Sequence, residues 1–86
     1  MEIFFTKQAQ EDLNYFETHD KKISQRIQDL LNDIKKHPFS GIGKPEPLRY
    51  KMAGYWSRRI DRQHRIVYYV HKEQIYIAQC RYHYDK

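Results

Sequence analysis

At 86 residues the chain has room for one small domain, 1–86, and none for a cofactor domain beside a separate substrate domain. With 40% apolar and 31% charged residues it is too rich in core formers to be disordered. Its core nevertheless sits near the lower limit for independent stability, so a partner is expected to add to it. Sixteen Lys and Arg against eleven Asp and Glu leave a net charge of +5, which points to a polyanion or an acidic protein as partner, a merely soluble basic surface being the plain alternative.

The segment Met1–Lys7 carries Glu2 where a secretion signal carries bases, and its apolar stretch stops at Phe5, so no leader is expected and the cytoplasm is the expected compartment. Ile3, Phe4 and Phe5 read as a first strand. Thr6 is an N-cap for a helix through Ala9, Leu13 and Phe16 that ends near Thr18 or His19. Asp20 caps a second helix, in which Ile23, Ile27, Leu30, Leu31 and Ile34 form one apolar stripe. Lys35, Lys36 and His37 complement the dipole of its last turn, and Pro38 stops it, which makes His37 a helix-end residue rather than a ligand. Phe39 to Pro47 is a stiff loop holding two of the three glycines and two of the three prolines. Four β-rich runs come next, Leu48–Met52, Tyr55–Ile60, Arg65–Val70 and Gln74–Tyr82, with spacers short enough to demand antiparallel hairpins. Within the third, Ile66 to Val70 is the longest apolar stretch, far short of the ~20 residues of a membrane span. The single cysteine, Cys80, forms no internal disulfide and is expected to be a buried, inert thiol in a reducing compartment. The expected fold is α+β, in β-α-α-β-β-β order, with both helices on one face of a mainly antiparallel sheet and the other face left open.

From residue 55 onward Arg58, Arg59, Arg62, Arg65 and Arg81 alternate with Tyr55, Trp56, Tyr68, Tyr69, Tyr76, Tyr82 and Tyr84. Guanidinium forks pair phosphates and flat rings stack on unpaired bases, so the pattern suits single-stranded nucleic acid; an ordinary sheet with core aromatics and solvated arginines competes with it. With Arg62 at the centre of an odd-length turn, Arg59 lies across from Arg65, and two guanidiniums so placed call for an anion between them. A three-residue turn at Lys72-Glu73-Gln74 is expected, because it gathers the polar groups on one side, pairing Arg65 with Arg81 and bringing His83 to the same face; a two-residue turn would send His83 to the other.

Glu46 stands between Pro45 and Pro47, whose rings restrict its backbone and present its carboxylate from a stiff loop. In company with Arg65 and His83 it makes a set able to cleave RNA without a metal or other cofactor. The carboxylate takes the 2′-hydroxyl proton, arginine stabilises the phosphorane, and protonated histidine donates to the leaving 5′-oxygen, each proton transfer being worth about 10²- to 10⁴-fold. Other readings fail: Gly41-Ile42-Gly43-Lys44 lacks the spacing and the Ser or Thr of a P-loop, and Cys80 with His83 is at most half a zinc site. Ser57 has no acid-histidine relay, and His19, His64 and His71 read as exposed turn or strand-end residues.

Lys44-Pro-Glu-Pro-Leu48, Gly54, Trp56-Ser-Arg-Arg-Ile60, His64-Arg65 and Cys80-Arg-Tyr-His-Tyr84 together resemble the YoeB (Txe) family of bacterial toxins in the RelE/ParE superfamily. That resemblance implies a ribosome-dependent mRNA endonuclease that cuts the codon exposed in the A site of the small subunit and is silenced by a YefM-like antitoxin. It implies Glu46 as general base, Arg65 as phosphate-stabilising arginine, His83 as general acid and Tyr84 as a further catalytic residue. Lys44, Arg49 and Arg59 become supporting phosphate contacts, with Arg81 added from its expected pairing with Arg65. A homodimer is compatible with the family, and DNA would be met only through the antitoxin. Two departures stand out: Arg49 where relatives often carry Lys, and Asp85-Lys86 beyond the tyrosine at which relatives commonly end. The competing functions are a non-enzymatic toxin of the ParE kind that binds a protein target, and a plain RNA-binding module. Replacing Glu46 or His83 separates the first from the enzyme, and the second predicts that neutralising Arg59 or Arg65 weakens binding and its salt dependence with no cleavage by the parent protein.

Overall fold

The computed structural model of the chain describes residues 1–82. In chain order these form strand β1 (Glu2–Phe5), helices α1 (Lys7–His19) and α2 (Lys21–Lys36), strand β2 (Glu46–Pro47), a single 3₁₀ turn (Tyr50–Met52), and strands β3 (Trp56–Arg59), β4 (Arg65–His71) and β5 (Gln74–Gln79). The strands make one sheet in the order β1-β5-β4-β3-β2, with β1 parallel to β5 and the other neighbours antiparallel. No described helix is long and apolar enough to cross a membrane.

Both predicted caps are made. Thr6 Oγ1 accepts the Ala9 N–H (3.1 Å) and donates to the Ala78 carbonyl (2.9 Å), so one side chain starts α1 and fastens it to the sheet. Asp20 joins the helices: its N–H donates to Phe16 O at the end of α1 (2.8 Å), and its carboxylate accepts the Ile23 N–H at the start of α2. The stripe of Ile27, Leu30, Leu31 and Ile34 is buried with Ala9, Leu13 and Phe16 of α1 against Ile60, Ile66, Tyr68, Ile75 and Ile77 of the sheet side. Full burial of each such large apolar side chain contributes about 1.5–3 kcal/mol, which makes this layer the main source of stability.

Strand alternation divides the remaining residues. Ile66 and Tyr68 turn toward the helices, so Arg65, Val67 and Tyr69 face the other way. On that second face four rings form a row across the strands. Phe4 stacks on Tyr76 (5.4 Å between centroids), Tyr76 on Tyr69 (4.9 Å), and Tyr55 meets Tyr69 edge-on (5.1 Å).

Three expectations about the strands need correction. Leu48–Met52 is not a strand: Tyr50 takes φ +58° and the Arg49 carbonyl accepts from Met52 N–H (3.0 Å), folding the chain into a 3₁₀ turn. Pairing falls instead on Glu46–Pro47, an edge position where the missing proline N–H costs no ladder bond. The β4–β5 turn has two residues, not three: His71 faces Gln74, and Lys72 and Glu73 both take left-handed φ (+51° and +63°), the conformation whose twist matches a tight hairpin. The last strand stops at Gln79 rather than Tyr82. A bulge at Ala78 shifts the register by one, from Tyr68↔Ile77 to Val67↔Gln79, and the chain then leaves the ladder. Arg65 and Arg81 are therefore not a ladder pair; the Arg65 N–H donates to the Tyr82 carbonyl (3.2 Å).

Candidate active site

The loop between α2 and β2 is held by a buried cation. Arg58 lies on the helix-facing side of β3 and is wholly buried. It pairs with Asp33 of α2 and donates to the carbonyls of His37, Ser40 (2.8 Å) and Ile42 (3.1 Å), while its Nε donates to the Tyr68 hydroxyl (3.1 Å). Tyr68 in turn donates to the Pro38 carbonyl (2.7 Å), and burial raises its pKa against the opposing pull of Arg58, keeping that proton in place. A buried charge must be paired, and here the pairing groups belong to the loop, so satisfying Arg58 folds residues 37–42 onto the sheet. Gly41 has φ +117°, and a Cβ there would overlap Asp33 Oδ2; the ion pair needs glycine at this position. Beyond it the Gly43 carbonyl accepts the Arg59 N–H (2.7 Å), which delivers Lys44-Pro45-Glu46 to the edge of β3.

Glu46 then faces Ser57 across β2–β3. Ser57 is fully buried, and its hydroxyl accepts from Arg65 Nε (3.0 Å). Arg65 Nη2 donates to Glu46 Oε1 (3.0 Å). The guanidinium is thereby locked on one edge and aimed by the other, with 9% of its side chain exposed against 57% for the Glu46 carboxylate. Arg59 faces Arg65 directly across the β3–β4 ladder, as an odd-length turn between the strands requires. Two cations and a carboxylate thus meet on the face away from the helices, an arrangement able to hold a phosphate and accept a proton beside it.

The other sequence-derived residues divide. Lys44 is exposed next to Pro45 at φ +52°. Arg49 and Glu46 line one groove of about 410 Å³ with the almost fully exposed Tyr50. Arg81 stands apart from this cluster: its guanidinium lies 3.5 Å above the Tyr15 ring of α1, in a separate cleft with Asp20, Asp61, His64 and Tyr82. His83 and Tyr84 lie outside the described residues. No grouping of three or more possible metal ligands occurs among the described residues.

Three participants escape sequence reasoning. Ser57, which has no relay to make it a nucleophile, serves instead to hold Arg65. Arg58 is not part of the basic surface; its place between the inward-facing positions 56 and 60 is the signal that it must be buried and paired. His64 is not an exposed turn residue but is only 7% exposed, because its ring packs edge-on against Phe16 (5.0 Å). Of the aromatics expected to stack on bases, Tyr68 belongs to the core, and Trp56 packs against it and meets Phe39 (4.9 Å).

This fold, with a carboxylate and guanidiniums gathered on the face away from the helices, defines a class: small α+β toxins of the YoeB/ParE type. Within that class the chain belongs to the YoeB-like toxins of bacterial type II toxin-antitoxin systems, whose family model matches residues 5–84. It is 49% identical over 84 residues to toxin YoeB of Streptomyces coelicolor, covering 98% of this chain and all of that one. The YoeB/ParE toxin from Agrobacterium tumefaciens superimposes with a TM-score of 0.95 at 42% identity, covering 98% of this chain and 100% of that one. YoeB from Staphylococcus aureus, solved in complex with YefM, gives 0.89 at 46% identity over 98% of both chains; the same toxin has also been solved as a dimer, with 0.90 at 47% over the same shares.

Proposed function

We propose that the chain, as a single toxin domain over residues 1–86, cleaves mRNA in the A site of the small ribosomal subunit and so arrests translation in the cytoplasm. The observation that carries this reading is the 3.0 Å contact of Arg65 with Glu46, held by the buried Ser57 hydroxyl and facing Arg59. Without substrate, Arg65 and Glu46 satisfy each other. A scissile phosphate entering between Arg59 and Arg65 takes the guanidinium bonds and frees Glu46 for the 2′-hydroxyl. Glu46 removes that proton as the 2′-oxygen attacks phosphorus, Arg65 neutralises the growing charge, and the P–O5′ bond breaks as protonated His83 donates to the 5′-oxygen. Tyr84 contributes at the same centre, and Lys44, Arg49 and Arg59 hold flanking phosphates. Arg81, stacked on Tyr15, contributes to RNA binding only from the margin. No step calls for a cofactor.

A chain this small does not enclose its substrate, and a codon ordered by the ribosome supplies the positioning that free RNA lacks. In the cell a YefM-like antitoxin is the proposed silencing partner, its acidic segment ordering over the basic face; the Staphylococcus complex supports this, and the dimer solved for that toxin supports a homodimer here. DNA is met only through the antitoxin.

Primer extension on mRNA with and without programmed ribosomes, using the parent protein and the Glu46→Gln and His83→Gln variants, tests the reading. Cuts that require ribosomes, fall within the A-site codon and weaken in both variants are expected. Growth arrest that survives both substitutions, with no cuts, would assign the toxin to a protein target instead.

A further inference from the structure

Two described tyrosines hold the left-handed backbone conformation, and they are placed very differently. Tyr82 (φ +66°) is tied in after β5: its N–H donates to His64 Nδ1 (2.7 Å) and its ring meets the His64 ring (5.5 Å), while the Cys80 N–H donates to the buried Asp12 carboxylate (3.0 Å). Tyr50 (φ +58°) is 91% exposed. Every other described tyrosine has a ring or hydrogen-bond partner; the Tyr50 side chain has none among the described residues. Its backbone is nonetheless braced. Leu48 N–H donates to the Tyr55 carbonyl (2.9 Å), Ala53 N–H to the Tyr50 carbonyl (3.0 Å) and Tyr55 N–H to the Met52 carbonyl (3.0 Å), with Leu48 itself buried. For the fold alone this arrangement gains nothing: a ring left in water forgoes the stabilisation its burial would give, and a non-glycine residue is held at positive φ against its preference.

The ring stands at the groove of about 410 Å³. Pro47, Leu48 and Met52 give that groove apolar walls, and Arg49 and Lys51, on either side of Tyr50 in the chain, give it two cations. Glu46, the partner of Arg65, also lines it, so the groove is continuous with the candidate active site. A free aromatic face, apolar walls and cations for flanking phosphates are what an unpaired nucleotide requires. An acidic peptide would satisfy the cations but would meet the Glu46 carboxylate with like charge and leave the ring unused. We infer that the groove is a nucleobase subsite, in which Tyr50 stacks on the base beside the scissile phosphate and makes cleavage sensitive to that base. The inference rests on the proposed cleavage of RNA at Glu46 and names a part of the substrate that the acid-base groups do not touch. A purine covers more of the ring than a pyrimidine does, so a purine is the preferred occupant.

Tyr50 faces solvent, so replacing it leaves the core intact. Tyr50→Phe keeps the aromatic face, and Tyr50→Leu keeps apolar bulk without it. Cleavage by the parent and both variants should be measured on ribosomes programmed with codons that differ by one purine-to-pyrimidine change at each position in turn. The parent is expected to favour a purine at one position by about tenfold, and Tyr50→Phe to keep that preference. Tyr50→Leu should lose about tenfold in kcat/KM on the purine codon and fall to a preference of about twofold or less. A parent indifferent to the base at every position, or Tyr50→Leu with the parent's preference, would overturn the inference. A second readout needs no cleavage: NMR titration of the parent with 2′-deoxyadenylate and thymidylate trimers, which lack the attacking hydroxyl. Upfield movement of the Tyr50 ring protons, larger with the adenylate trimer, supports the subsite. Ring signals unmoved at millimolar trimer overturn it, as do signals that respond only to protein concentration, which would make a second copy of the chain the occupant. A parent that never cleaves RNA defeats the proposed function, and the titration then still accepts or rejects the subsite.

Discussion

Arg65 donates to Ser57 Oγ through Nε and to Glu46 Oε1 through Nη2, each at 3.0 Å, so the two ends of its guanidinium do different work. Lysine keeps the charge but has no Nε and no fork. Arg65→Lys is therefore expected to lose about 10²-fold or more in cleavage with the sheet intact, and Ser57→Ala about tenfold. Primer extension on programmed ribosomes, alongside circular dichroism, checks both; an Arg65→Lys variant as active as the parent would show that charge alone suffices.

Asp33 and Arg58 form the ion pair on which the loop folds. Burial raises the Asp33 pKa, but the Arg58 hydrogen bond, the Ile42 N–H and the Arg58 charge together outweigh it and hold the carboxyl below its ordinary 3.8. A depressed folded-state pKa gives stability that is fully present above 3.8 and lost as pH falls through the folded value. Acid titration of stability is thus expected to be steeper below about pH 4 in the parent than in Asp33→Asn.

Removing the other partner is more severe. Arg58→Ala strands the Asp33 carboxylate and leaves the His37, Ser40 and Ile42 carbonyls without their donor, so a loss of about 3–5 kcal/mol is expected in urea unfolding. Gly41→Ala should weaken the same pair from the loop side, since its methyl would overlap Asp33.

Burial, with the Asp12 charge adding to it, pushes the Cys80 thiol up to about 12. At pH 8 the folded protein should react with a thiol reagent about 10³-fold more slowly than the urea-unfolded chain, because so little thiolate exists. Equal rates in the two states would mean that the α1–β5 contact opens readily.

Lys72 and Glu73 occupy a tight turn at positive φ without being Asn or Gly. Lys72→Asn with Glu73→Gly should raise stability by about 1 kcal/mol in urea titration without touching the candidate site, the residues then matching the turn they already make.

The layers and the helix ends were legible in the chain itself. Thr6, Asp20 and Pro38 act through neighbours within a few residues, and the α2 stripe repeats at a period that only a helix satisfies. The alternation of β3 and β4, with an odd turn between them, likewise set Arg59 against Arg65. The family signature was also legible, because Lys-Pro-Glu-Pro and Arg-Tyr-His-Tyr are local strings. Other features depend on groups distant in sequence and emerged only in the folded molecule. Whether Arg58 is surface charge or buried anchor turns on carbonyls 16 to 21 residues away, and the role of Ser57 turns on a guanidinium eight residues further on. The exit of β5 turns on a bulge at Ala78 that no residue type announces, on Asp12 from the first helix, and on a histidine whose burial is imposed by Phe16. Local strings encode dihedral preference and periodicity; the partner of a buried polar group is chosen only when distant segments close around it and water is excluded.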